Sequence, residues 1–358
     1  MTEYFQLCIN PGSTSTKISV FKSEELFIDE SLSHSTEELA PFPRIGDQYS
    51  FRRRVITEFL ASRGFDIKRL SAVVGRGGLL KPIPSGTYRV TDAMVRDLKE
   101  AKRGEHASNL GGLLARDLAD TLGIPAFIVD PVVVDELEPV ARISGHPEIA
   151  RRSIFHALNQ KAVAKRFAAA QGKDYRDINA IVAHLGGGIS VGAHCRGKVI
   201  DVNNALDGEG PFSPERSGGL PSGDLARLCY SGKYSHDDIK KMITGQGGLV
   251  AYLGTNDGRE VRRRMEAGDS YAGLVFRALA YQVAKEIGAM ASVLSGKVDV
   301  IILTGGLAFD NTYLVPWIKE AISFIGPVEV MPGEGEMTAL CAGGLRVLRG
   351  EEIAKDYE

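Results

Sequence analysis

The sequence predicts an α/β protein of two related domains, and three observations lead to that prediction. The chain has 358 residues, which is more than one ordinary hydrophobic core requires. A strand, a tight turn of small residues and two further strands occur near the start, and the same succession returns after residue 178. Helical and buried β patterns alternate after each group of strands, as is typical of layered α/β proteins.

The first half opens with a predicted hairpin. A strand over residues 5–10 leads into the loop Pro11-Gly12-Ser13-Thr14-Ser15, and strands over 17–21 and 25–31 follow. The hydrophobic periods beyond them predict three helices and two short buried strands. These are helices at 49–63, 91–103 and 108–122, and strands at 71–74 and 126–129.

The second half repeats this opening. A strand over 179–185 leads into the loop Gly186-Gly187-Gly188, and strands over 189–193 and 198–203 follow. An Ala-rich helix is predicted at 271–294, a buried strand at 298–304, and a helix at 312–325 that Pro316 interrupts. The period of 148–171 predicts a helix that crosses between the halves, and 335–349 a last helix that returns to the first.

Charge and composition exclude several classes of function. A formal net charge of -2 argues against a nucleic-acid partner. The Arg triplets at 52–54 and 262–264 lie in helical stretches beside glutamates, and we interpret them as solvated faces. The apolar runs are too short to span a bilayer and no signal peptide is evident, so we expect a cytoplasmic protein without a membrane partner. The four scattered cysteines suit free thiols rather than a Cys-based zinc site.

The two glycine- and hydroxyl-rich turns carry the strongest functional signal. Backbone N–H groups and hydroxyls that converge in a tight turn make an anion site, and Lys17 could add a positive charge. Glycine and serine also occur in ordinary hairpin turns for conformational reasons alone. Two such turns, each after a buried strand that ends in a polar residue (Asn10 and His184), favour phosphate binding. Neither GxxxxGK[ST] nor GxGxxG occurs, so a P-loop or dinucleotide-binding site is not predicted.

The segment Asn-Pro-Gly-Ser-Thr-Ser-Thr-Lys at 10–17 resembles the acetate/butyrate kinase family of the actin–hexokinase–Hsp70 superfamily, and its form is closer to the butyrate kinases. Six further motifs follow in the family's order: Asp130-Pro131, Phe155-His156, His184–Gly188, Asn256–Arg259, Thr304–Gly306 and Pro332–Glu336. The resemblance implies two ribonuclease H-like, actin-like ATPase domains with a nucleotide cleft between them. We expect these domains to comprise 1–155 with 343–358, and 156–342.

The resemblance also implies the roles of particular residues. The predicted catalytic residues are His156 and Asp130. Arg216 could replace an arginine that acetate kinases carry in the segment matching 220–224. Arg76 fills no clear position of the family, but it lies in a glycine-rich loop after a strand, where an arginine could bind a substrate carboxylate. The residues expected to bind ATP or ADP are Asn10, Gly12, Ser13, Thr14, Ser15, Lys17, His184, Gly186, Gly187, Gly188, Asp257, Arg259, Gly305 and Gly306. Asn10 with Glu334 or Glu336 is expected to serve Mg²⁺.

The implied reaction is the reversible phosphorylation of a small carboxylic acid by ATP, with butyrate, isobutyrate or isovalerate as the acid. A carboxylate is ionised near pH 7, so this nucleophile needs charge neutralisation and alignment rather than a strong base. Three alternatives stay open: an acetate or propionate kinase, a sugar kinase with Asp130 as base, and an actin- or Hsp70-like nucleotide-dependent binding protein. The resemblance further implies a homodimer or a higher even homo-oligomer.

Overall fold

The computed structural model describes residues 2–358. The strands, numbered along the chain, are β1 Phe5–Pro11, β2 Ser15–Lys22, β3 Glu25–Ser33, β4 Leu70–Arg76, β5 Thr87–Arg89, β6 Ala126–Val129, β7 Ile143–His146, β8 Ile149–Ala150, β9 Asn179–Leu185, β10 Ile189–Cys195, β11 Lys198–Val202, β12 Val300–Gly305 and β13 Val328–Pro332. The helices are α1 Thr36–Leu39, α2 Tyr49–Ser62, α3 Asp92–Glu100, α4 Asn109–Leu122, α5 Ala157–Ala170, α6 Ser222–Cys229, α7 His236–Ile243, α8 Gly248–Leu253, α9 Gly258–Glu266, α10 Ser270–Val293, α11 Leu314–Ile322 and α12 Glu336–Leu348.

These elements form two compact units. One comprises the residues up to Val134 together with Gly335–Glu358, and the other is Asp135–Glu334. The predicted domains were 1–155 with 343–358, and 156–342. The boundaries differ because the segment after Val134 bonds within the second unit, where the amide of Glu138 donates to the carbonyl of Ile200 at 3.0 Å. Helix α12 belongs wholly to the first unit because its buried face packs on β1, β4 and β6.

The first unit is built on a six-stranded sheet in the order β3-β2-β1-β4-β6-β5. The first three strands form an antiparallel meander, while β1, β4 and β6 run parallel. Helix α4 packs against this sheet so closely that a methyl group on Gly75 would lie 2.1 Å from the carbonyl oxygen of Gly111. The parallel strands therefore end side by side, which brings Asn10, Arg76 and Asp130 to one region of the unit.

The second unit repeats the arrangement with five strands in the order β11-β10-β9-β12-β13. Strands β9, β10 and β11 form the antiparallel meander, and β9, β12 and β13 run parallel. Helices α10 and α11 bury their apolar faces in the core of this unit, which includes Phe276 and Ile318. The short strands β7 and β8 pair with each other as a separate hairpin.

Several sequence predictions differ from the structure. The helix predicted over 148–171 begins only at Ala157, because 143–150 form the β7–β8 hairpin. Pro316 does not interrupt α11, since it is the third residue of that helix, where its missing N–H has no partner to lose. Helices α6 to α9 and strand β13 were not predicted. Among residues 2–358, no helix combines the length and apolarity that crossing a membrane requires.

Candidate active site

The β1–β2 turn presents a small-residue loop whose carbonyl groups are held inward. The amide of Gly12 donates to the carbonyl of Ser15, and the amide of His34 donates to that of Thr14, both at 2.8 Å. Asn10 and Lys17 are cross-strand partners in this hairpin, so their side chains lie on the same face of the sheet. The ammonium group of Lys17 lies 3.5 Å from the carboxylate of Asp29 and stays half exposed.

Arg52 lies beneath this loop and is completely buried. Its guanidinium donates to the carbonyl oxygens of Ser15 at 2.6 Å and Ser13 at 3.0 Å, and to the side-chain oxygens of Thr16 at 2.9 Å and Gln48 at 2.8 Å. The interpretation of the 52–54 triplet as a solvated face is therefore wrong for its first member. Helix periodicity alone could not show this, because the acceptors of Arg52 lie mostly on a distant loop.

A polar cluster lies where β1, β4 and α12 meet. The amide nitrogen of Asn10 donates to one carboxylate oxygen of Glu336 at 2.6 Å, and Arg76 forms an ion pair with the other. Glu336 is the first residue of α12, where the helix dipole favours a carboxylate. Two predicted site residues, Asn10 and Arg76, are thus joined through a third, Glu336.

Asp130 follows β6 in an unusual backbone conformation. Its φ of +37° is uncommon for a residue other than glycine, and such strain persists only where the surroundings hold it. One carboxylate oxygen accepts hydrogen bonds from the hydroxyl of Ser85 at 2.6 Å and from the amide of Gly86 at 2.8 Å. The buried carboxylate therefore fixes the segment that precedes β5.

In the second unit, His156 lies immediately before α5 and stacks on His184. The two imidazole rings are 3.8 Å apart and inclined by only 9°. Nδ1 of His156 lies 2.8 Å from the hydroxyl of Ser190, which also accepts a hydrogen bond from the amide nitrogen of Gln160 at 2.8 Å. The ring of His156 is thus held both by stacking and by a buried hydroxyl.

A buried hydrogen-bond chain extends from His194 to His156. Nε2 of His194 lies 2.9 Å from the side-chain oxygen of Gln160, and Nδ1 lies 2.7 Å from the hydroxyl of Tyr175. Burial, and then the charge of Lys161, hold the pKa of His194 well below its ordinary value, so it is neutral with its proton on Nε2. The amide nitrogen of Gln160 donates to the hydroxyl of Ser190, which in turn lies 2.8 Å from Nδ1 of His156.

The second loop requires glycine at two positions for steric reasons. A methyl group on Gly186 would lie 2.9 Å from Nε2 of His184, and one on Gly188 would lie 1.9 Å from the guanidinium of Arg216. That guanidinium donates to the carbonyl of Ala205 at 2.5 Å, and burial lowers its pKa. Nδ1 of His184 lies 2.8 Å from the side-chain oxygen of Asn159. The loop, the stacked histidines and Arg216 thus form one packed group.

Beside this loop lies a cavity of about 680 Å³, which is in the size range of small-molecule sites. Its wall includes an ion pair between Asp257 and Arg259 at 3.0 Å, and the guanidinium of Arg259 lowers the pKa of Asp257. The amide nitrogen of Asn256 donates to Glu215 at 2.5 Å across the same wall. Other predicted residues that line the cavity are Gly186, Gly187, Gly306 and Glu334.

The structure places the remaining predicted residues as follows. Gly305, with a φ of +89°, ends β12 where a methyl group would lie 2.4 Å from the carbonyl oxygen of Leu185. Glu334 lies in the second unit, and Glu336 lies in the first, where it accepts the hydrogen bond from Asn10. Across residues 2–358, no three His, Cys, Asp or Glu side chains converge in a way that could hold a metal ion.

Sequence reasoning missed Asn159 and Gln160, which position the two histidines. The sequence could have indicated both residues, because they follow His156 by three and four places and therefore lie on the same face of a helix as His156. Ser190 was missed although it directly follows the first residue of a predicted strand. Glu215 was missed because its neighbour Asn256 lies 41 positions away along the chain.

Comparisons with known proteins agree with this geometry. A profile of the acetokinase family matches residues 144–330. The chain is 58% identical to Butyrate kinase 2 of Clostridium acetobutylicum over 352 residues, which are 98% of this chain and 99% of that protein. It is 56% identical to a probable butyrate kinase of Clostridium botulinum (strain Alaska E43 / Type E3), over 99% of each chain.

Two solved structures share the fold at low sequence identity. Acetate kinase of Porphyromonas gingivalis has a TM-score of 0.79 at 19% identity, with 97% of this chain and 100% of that chain covered. Propionate kinase of Francisella tularensis has a TM-score of 0.72 at 18% identity, with 94% and 98% covered. The repeated sheets and the site define a two-domain α/β kinase. The chain belongs to the acetokinase family, which confirms the fold class and the family predicted from the motifs.

Proposed function

We propose that this protein phosphorylates a short-chain carboxylic acid with ATP, reversibly, and that the acid is butyrate or a branched relative such as isobutyrate or isovalerate. The observation that carries the choice of acid is the 58% identity to a butyrate kinase over nearly the whole of both chains. One methylene in a pocket is worth only ~1–3 kcal/mol, so a preference among these acids rather than an absolute choice is expected.

His156 and Arg216 are the groups that we assign to the transferred phosphoryl. An N–H group of His156 can donate a hydrogen bond to a phosphoryl oxygen as charge develops there. Arg216 lies against Gly188 of the second loop and can supply a positive charge to the same group. Since the attacking carboxylate is already ionised, neither group has to act as a base.

We assign Arg76 to the substrate carboxylate and Asp130 to a positioning role. Arg76 is largely buried and has a planar guanidinium, which suits a carboxylate in two-point contact. The contacts of Asp130 with Ser85 and Gly86 support a role in holding its loop. A sugar kinase would instead need this aspartate as a base for a neutral hydroxyl.

The oxygen ligands near β1 fit Mg²⁺, which the family's chemistry implies. Mg²⁺ prefers carboxylate, carbonyl and water oxygens and usually takes one or two protein ligands beside phosphate. Glu336 offers a carboxylate and Asn10 an amide oxygen, and the two side chains are hydrogen-bonded to each other. We propose these two residues, rather than Glu334, as the protein's contribution to such a site. Bound there, the ion would neutralise charge on the nucleotide's phosphates.

An acyl-phosphate trap tests this function. The protein is incubated with ATP, Mg²⁺ and hydroxylamine, with acetate, propionate, butyrate, isobutyrate or isovalerate in parallel reactions. We expect most acyl hydroxamate from the four- and five-carbon acids, and a H156A variant serves as the control for contaminating kinase. A greater yield with acetate would reject the proposed substrate. No hydroxamate with any acid, from protein that binds ATP, would reject the kinase itself.

We also propose that the protein is cytoplasmic and forms a homodimer or a higher even oligomer. Four free thiols support a reducing compartment. Helix α10 exposes Tyr271, Leu274 and Tyr281, which lie on one side of the helix and provide an apolar surface for a second copy. Light scattering at micromolar concentration tests the assembly, and a monomeric mass would contradict it.

A further inference from the structure

The backbone of the first loop is oriented by Arg52. Two N–H groups of its guanidinium hold the carbonyl oxygens of Ser13 and Ser15 at 3.0 and 2.6 Å, and the amide of His34 holds that of Thr14 at 2.8 Å. A trans peptide directs its N–H opposite to its C=O. The N–H groups of Thr14 and Thr16 therefore point away from Arg52, and the N–H group of Ser15 points away from the amide of His34.

Within residues 2–358, the groups that accept hydrogen bonds from Arg52 are all neutral. Besides the two carbonyls, they are the side-chain oxygens of Gln48 and Thr16. Burial lowers the pKa of Arg52 to about 10, so the guanidinium remains charged at neutral pH. A buried charge is normally matched by an opposite charge, because removing it from water is costly. The peptide groups of the loop lie between this cation and the solvent, so its positive electrostatic potential extends to the outer side of the loop.

We infer that Arg52 is a positioning residue that turns the first loop into a phosphate site: it draws two carbonyls inward and places behind the loop a positive charge that a nucleotide phosphate neutralises. The inference rests on the proposed use of ATP and names a residue outside the loop on which phosphate affinity depends. If Arg52 only stabilised the hairpin, it would contribute equally to the binding of charged and uncharged ligands.

Calorimetric binding of ATP, ADP and adenosine tests the inference on the full-length protein. The variant Arg52→Gln removes the charge, and Arg54→Gln, which removes the same charge from the exposed side of the same helix, is the matched control. With a phosphate roughly 7–8 Å from the guanidinium and an effective dielectric constant of about 20, R52Q should bind ATP on the order of 40-fold more weakly. Adenosine affinity should not change, and R54Q should bind all three ligands like the wild type.

The ratio of ATP affinity to adenosine affinity is the decisive quantity, because partial unfolding lowers both together. An unchanged ratio in R52Q would overturn the inference. A third variant, R52K, keeps a charge but not the guanidinium that bridges the carbonyls, so its ratio should fall less than that of R52Q. If R52Q does not fold, R52K decides: a lowered ratio supports the inference and an unchanged one overturns it. A wild-type protein that fails to bind ATP would instead reject the proposed function.

Discussion

At the scale of single residues, the site depends on groups that fix the orientation of His156. The hydroxyl of Ser190 contacts Nδ1 of His156, and Gln160, which accepts from His194, donates to that hydroxyl. Because the chain of hydrogen bonds is buried, each member would be costly to leave unpaired.

We therefore predict that Ser190→Ala lowers kcat by about tenfold or more, with little change in the KM for ATP, because the lost hydrogen bond orients a group that acts on the transferred phosphoryl. Steady-state kinetics with butyrate and ATP would measure both constants. Ser190→Thr keeps the hydroxyl and should retain most of the activity. Equal losses in S190A and S190T would show that packing, and not the hydroxyl, matters at this position.

At the scale of the elements, the two hairpins were predictable because alternating apolar strands and turn residues are local signals. The observed strands β1, β2, β9 and β10 contain every residue of the predicted strands. Helices α6 to α9 are short, at six to nine residues, and offer too few turns for a clear period. Local patterns could also indicate that Gly188 lies in a turn, but not that Arg216 packs on it.

The glycine loop of the second hairpin gives a prediction at this scale. Gly188→Ala should lower kcat by about tenfold or more, because its methyl group would lie 1.9 Å from the Arg216 guanidinium and displace it. Gly187→Ala is the matched comparison and should lower kcat less, since no atom lies closer than 3.7 Å to its added carbon. Kinetics of the single variants, of R216A and of the G188A/R216A double variant would measure the coupling. Independent, additive losses would contradict the assigned contact.

At the scale of the whole molecule, the repeat seen in the sequence reappears as two sheets with the same succession of antiparallel and parallel strands. This repeat could be predicted from hydrophobic periodicity and turn chemistry. The unit boundaries and the buried polar side chains could not be predicted, because they depend on partners distant in sequence. Lys161 and Glu136, whose side chains are 2.7 Å apart, are an example. Family motifs indicated candidate site residues but not the buried groups that support them, such as Arg52 and His194.

Two buried histidines, His34 and His194, make the stability of the protein depend on pH. Burial is the main cause of the lowered pKa of both His34 and His194, so each stays neutral in the folded protein while its unfolded form takes up a proton near pH 6.5. Their contribution to stability is therefore complete above that pH and is lost as the pH falls toward the folded-state values. Each histidine can reduce the free energy of unfolding by at most about 1.4 kcal/mol per pH unit in this window.

We predict that His194→Gln flattens the pH dependence of stability between pH 7.5 and pH 5, because glutamine keeps an amide donor for Gln160 but does not titrate. The single tryptophan, Trp317 in α11, lies in the same unit as His194, so its fluorescence during urea unfolding reports the relevant transition. The wild type should be the more stable protein at pH 7.5, and the two curves should converge at pH 5. His236→Gln, at an exposed position of α7, should follow the wild type throughout. Parallel curves for H194Q and the wild type would mean that the protonation of His194 does not change on unfolding in this range, which would contradict a buried, neutral His194.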